Sequence, residues 1–209
     1  MTTHRFFLYL YSTALTVIGL TAISTAFAAE QQLHLRGEIT SITERQLVVK
    51  SSNGLTTTVQ LTDKLPINDV SRTSLSAVTE NSYIGVAATP AGSGKVKALG
   101  VMVFPEGARG LNEGHFPWDL QKESTMTNAT VLMVKLLKKR KGAEIEVRHG
   151  DKIQTVIIDD ATIFGQFVPG QRSLLVNGAK VLIFASQSEG ALPTANVVMV
   201  GRDGFLPPI

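Results

Sequence analysis

Arg109, Glu113, His115, Trp118 and Asp119 fall within a dozen positions of one another and hold a guanidinium, two carboxylates, an imidazole and the only tryptophan of the chain. Two chemistries fit such a set. The five side chains form a ligand-binding loop on a rigid scaffold, where binding residues concentrate. Alternatively Glu113, His115 and Asp119 supply the oxygen and nitrogen donors that suit a divalent ion. The bland reading is that Phe116-Pro117-Trp118 pins a linker into a groove while Arg109 and Asp119 satisfy its polar groups, and aromatic area of this size favours it. No HExxH motif or close histidine pair supports a metal, because His34, His115 and His149 lie in three separate regions. No cofactor is therefore expected, with a divalent metal ion as the alternative.

Other candidate chemistry is thinner. There is no GxSxG elbow, and any Ser-His-Asp set would use one of those isolated histidines. Asp159 and Asp160 are adjacent at a strand end, so their side chains point apart. Gly92-Ser93-Gly94-Lys95 lacks the second half of a phosphate loop. Met102, Met126, Met133 and Met199 suggest soft copper ligands, but Met102 and Met199 sit at equivalent repeat positions where ordinary strand packing explains them. The run Lys135, Lys138, Lys139, Arg140, Lys141 reads as a solvated hairpin tip. With no cysteine, disulfides and thiolate chemistry are excluded. The expectation is a protein that is not an enzyme.

What positions these residues is an internal repeat. Thr58-Val59 recurs as Thr155-Val156, and Val101-Met102-Val103 recurs as Val198-Met199-Val200, 97 positions on. A spacing this long suits a small complete domain in two copies. Each copy reads as three strands, an irregular connection and two more strands. In the first these are Leu33 to Ile42, Leu47 to Val49, Leu55 to Leu61, Tyr83 to Ala88 and Val96 to Phe104. In the second they are Ala129 to Leu137, Glu144 to Arg148, Lys152 to Ile158, Val181 to Ala185 and Ala195 to Val200. Asn53-Gly54 is a hairpin signal. Stretches 63–78 and 159–175 lose the period-two pattern and read as connections.

The expected fold is all-β, with two tandem small antiparallel OB-like barrels after an N-terminal signal helix. The expected domains are 1–29, a signal peptide; 30–106, the first barrel; 107–124, a docked linker; and 125–209, the second barrel and tail. Met1 to Arg5 forms a short basic start, Phe6 to Ala29 is uncharged, and Ala26-Phe27-Ala28 offers a peptidase site, so cleavage near Ala28 or Ala29 is expected. The mature chain would carry 19 basic and 17 acidic residues, too mild a balance to argue for nucleic acid. No later segment is apolar enough to cross a membrane as a helix. The expected home is the periplasm or the exterior, and the expected partner an envelope protein or small ligand.

Phe104 to Gly110, then Gly114-His115-Phe116-Pro117-Trp118-Asp119-Leu120, then Ser124 to Ala129, resemble the central signature of an uncharacterised family of exported proteobacterial proteins. The ending Val200 to Ile209 is similar to that family's C-terminus, so the resemblance spans essentially the whole mature chain. It implies an exported protein built from domains of unknown function, and it carries no functional residues with it. The label of metal-transporter component attached to some members fits poorly, since a permease needs several membrane spans.

Overall fold

The computed structural model describes residues 30–137 and 142–209; the expected signal segment and 138–141 of the basic run lie outside them. The described residues are all-β, and no helix among them is long and apolar enough to cross a membrane. The strands are β1 (Gln31–Ile42), β2 (Gln46–Lys50), β3 (Thr56–Gln60), β4 (Ile67–Arg72), β5 (Tyr83–Pro90), β6 (Val96–Val103), β7 (Gly114–Pro117) and β8 (Thr125–Leu136). They continue with β9 (Ala143–His149), β10 (Lys152–Ile158), β11 (Ile163–Pro169), β12 (Lys180–Gln187) and β13 (Thr194–Gly201).

Local chemistry accounts for the hairpins. Between β2 and β3, Gly54 takes φ 86°, and the Asn53 side chain accepts from Leu55 N–H at 3.1 Å. Gly178 before β12 also sits at φ 86°, a left-handed conformation that costs glycine little. On β9, buried Ala143, Ile145 and Val147 alternate with Glu144, Glu146 and Arg148, as half-wet strands do.

The two halves do not close separately. β1, β2 and β3 form a ring with β12 and β13, while β8, β9 and β10 form a second ring with β5 and β6. The first three strands of each half thus pair with the last two strands of the other. This corrects the expectation of contiguous units at 30–106 and 125–209: backbone pairing crosses that boundary in both directions. Strand propensity and alternation are identical for either arrangement, so the sequence does not discriminate between them. Each ring keeps its own core. Ile39, Leu47, Val59, Val181, Ile183 and Val198 fill one, and Ile84, Val86, Val101, Val131, Ile145 and Val156 fill the other.

Two strands within the expected connections join the rings. β4 and β11 pair antiparallel, and each also runs parallel to a strand of a ring, β4 to β13 and β11 to β6. β4 was hidden because its buried positions, Ile67 and Val70, fall three apart among Asn68, Asp69 and Ser71. β11 was hidden by its central Gly165 and terminal Pro169. A third core lies at this junction, with Val70, Met102, Met126, Phe167, Leu182, Phe205 and Ile209 buried in it. The C-terminal tail crosses β6 at Gly100, where a Cβ would sit 1.9 Å from the Pro208 oxygen.

Candidate functional site

The central segment is ordered, as its aromatic content predicts. It contains β7, which pairs with the start of β8 in the register Gly114↔Asn128 to Pro117↔Thr125. Trp118 N–H donates to Ser124 O at 2.8 Å and closes the return, and buried Ser124 Oγ lies 2.9 Å from Trp118 O. Phe116, Trp118 and Leu120 pack against the junction core, leaving Trp118 half-buried.

The five candidate residues separate into three places. Arg109 closes a local pair with Glu106 at 2.6 Å and donates to Asn81 O at 2.7 Å, tying the linker to the loop before β5. The Arg109 hydrogen bonds to Glu106 hold the Glu106 carboxyl below its usual range. Arg109 and Asp119, expected to satisfy polar groups along the linker, therefore bond in two separate places.

Glu113 and His115 line an open cleft of about 770 Å³ with His149, Asp151, Lys152 and Gln154. Glu113 Oε1 accepts from Gly150 N–H at 2.8 Å, so the linker carboxylate is held by the β9–β10 turn. His115 Nδ1 lies 2.8 Å from Thr127 Oγ1, and its ring stacks on His149 with centroids 5.8 Å apart and planes 21° apart. Burial lowers the His115 pKa, and the neighbouring His149 and Lys152 add to the effect. The imidazole is thus kept neutral to lower pH than usual.

Trp118 and Asp119 serve the other ring. Asp119 bridges His34 Nδ1 at 3.1 Å and Arg36 Nη2 at 2.8 Å. Burial opposes ionisation of Asp119, but the hydrogen bonds from His34 and Arg36 outweigh it and hold its pKa at about 2. The Trp118 ring lies 4.1 Å from the His34 ring, and Arg36 sits 5.5 Å from the indole centroid. The Trp118 Nε1 is buried without a hydrogen-bond partner among the described residues.

The metal trio of Glu113, His115 and Asp119 is consequently divided between two rings. Among the described residues, no group of three or more His, Asp or Glu is arranged to hold a metal. The residues that sequence reasoning missed are His34, Arg36 and His149. His34 and Arg36 share a face of β1 two positions apart, the one local hint available. His149 gave no such hint, because its approach to His115 depends on where β7 docks along β8. No family model matches the chain, nor does any curated protein or any solved structure.

Proposed function

We propose that this chain is a non-catalytic binding or interaction module of the bacterial envelope, and that the cleft between β7 and the β9–β10 turn is its binding face. The sequence of residues 1–29, read as an export signal, and the likeness of the central signature to exported proteobacterial proteins support the location. In each ring we read an OB-like unit, in which the fifth strand closes beside the third and surface loops are free to carry a site.

One observation carries the reading: two distant segments deliver Glu113, His115, His149, Lys152 and Gln154 into one open cleft while their backbones are held by paired strands. The polar contacts found there favour positioning over chemistry. Thr127, the hydroxyl on His115, is 0% exposed and so out of reach of a substrate. His34 and Asp119 resemble two members of a triad, but the His34 ring is covered by Trp118.

The test is capture of envelope components on immobilised protein beside a Lys152→Glu, Gln154→Ala double variant. A component held by the native chain and released by the variant is the expected result. Equal retention by both would remove the cleft from the reading. The metal alternative, with Glu113 and His115 at one ring and Asp119 at the other, rests on a direct test of the purified protein. Stoichiometric metal lost in His115→Ala would establish it.

A further inference from the structure

The near-twofold relation between the rings exposes one place where they differ. Alignment of β5 with β12 sets Thr125–Asn128 of β8 in register with Leu33–Arg36 of β1. Ala88 faces Thr125 as Ala185 faces Leu33, and Gly85 faces Asn128 as Leu182 faces Arg36. The outer neighbours agree: β9 joins β8 at the Thr130↔Arg148 pair, and β2 joins β1 at the Glu38↔Lys50 pair.

Before those points the edges diverge. On β8 the edge at Thr125–Asn128 is covered by β7. On β1 no described strand pairs with the matching edge at Leu33–Arg36. The approach to both places is also alike. Asn128 Nδ2 donates to Asn112 O at 3.1 Å just before β7 begins, and Arg36 Nε donates to Ile209 O at 3.0 Å. Ile39 N–H points toward β12, to Ala179 O. By alternation the N–H groups of Gln32, His34 and Arg36 face the open edge. Of the carbonyls beside them, His34 O accepts from the Arg36 side chain at 3.5 Å, a long contact. No strand ladder among the described residues occupies the row, which is the kind of edge that templates strand addition.

We propose that the β1 edge at Leu33–Arg36 is a strand-addition site for a short extended partner peptide, uncharged and with an apolar residue opposite His34. The proposal deepens the interaction-module reading and rests on it, at a surface separate from the cleft. The chemistry follows from β7. There Phe116 faces Met126 and feeds the junction core. The position matching Met126 is His34, beside Trp118 and Phe184, so an apolar side chain there extends an aromatic surface. Arg36 and Asp119 already neutralise each other, so the seat calls for no charge. A peptide suits it better than a second copy: a four-residue ladder buries far less than the roughly 1,200–2,000 Å² of stable interfaces. Backbone bonds supply the affinity and the His34 position the selectivity, the usual division in such complexes.

The experiment uses the full chain, ¹⁵N-labelled, and as probe a synthetic peptide of its own residues 114–118, Gly-His-Phe-Pro-Trp, capped at both ends so that it carries no terminal charge. Saturable shifts of the Gln32, His34 and Arg36 amides and of the Trp118 indole N–H are expected. Proline at an edge-facing position removes one open donor and leaves the β12 ladder paired. His34→Pro should therefore weaken binding at least tenfold, and Gln32→Pro, which touches neither Asp119 nor Trp118, several-fold. Shifts confined to Thr125–Asn128 would mean that the probe merely displaces β7, and would overturn the proposal. So would protected edge amides before peptide is added, whether a second copy or the chain itself fills the seat. Neither result bears on the cleft, whose capture test stands apart.

Discussion

Val70 and Phe167 lie 97 residues apart and face each other directly in the β4–β11 ladder. A repeat position that pairs with its own counterpart marks a local twofold axis, and this one passes through the junction core. Every other equivalence radiates from it: β5 and β12 begin 97 positions apart, as do the turns at Leu75–Ala77 and Arg172–Leu174. The arrangement is that of a strand-exchanged dimer carried on one chain.

Exchange predicts that the halves stay together when the linker is cut. Lys122 is exposed beside Glu123, whose φ of 62° marks a bend outside the strands. A single tryptic cut there should leave two fragments that co-elute in native gel filtration and separate only in denaturant. Separation under native conditions would refute the ring pairing.

Gly100→Ala should loosen the tail. The added Cβ would lie 1.9 Å from Pro208 O, so the tail must move away from β6. Overpacking of this kind costs about 1–3 kcal/mol. A lower melting temperature is expected, with faster chymotryptic cleavage after Phe205, which is otherwise buried.

Asp119 should impose a pH dependence in acid. Its pKa is held at about 2 in the folded chain against about 3.9 unfolded, so the folded state favours the carboxylate. Its contribution is complete above about pH 4 and fades as pH falls toward about 2. The side chain is 51% exposed, so solvent screens the pair and Asp119→Asn should cost less than about 1 kcal/mol at neutral pH. The difference in melting temperature between native and variant should vanish near pH 2. A difference that persists there would rule out the carboxylate as its source.

Tyr83 should be very reluctant to ionise. Burial pushes its phenol up to about 12, with nearby Glu113 adding to the effect and Arg109 opposing it. Its hydroxyl donates to Leu111 O at 3.0 Å, which ties the linker to β5. In a chain lacking residues 1–29 it is the only tyrosine, so phenolate absorbance reports it alone. Tyr83→Phe should cost about 1 kcal/mol and raise linker proteolysis. Titration near 10 would contradict the buried hydrogen bond.

Ten of the thirteen strands among the described residues were legible in the sequence because alternation and turn glycines are local signals, as on β9 and at Asn53-Gly54. The docking of the linker was legible too, since Phe116 and Trp118 have too much apolar area to stay in water. β4, β7 and β11 were not, because their burial comes from partners far along the chain: Val70 is buried by Phe167, and Phe116 by the junction. The same reason split the candidate site. Proximity in sequence grouped Glu113 with Asp119, but β7 fixes one end of the linker beside His149 while the return at Ser124 sends the other to His34 and Arg36. Which strands close which ring was a purely tertiary decision. The two closures use the same alternating faces and the same kinds of pairs, and only the connections through β4 and β11 distinguish them.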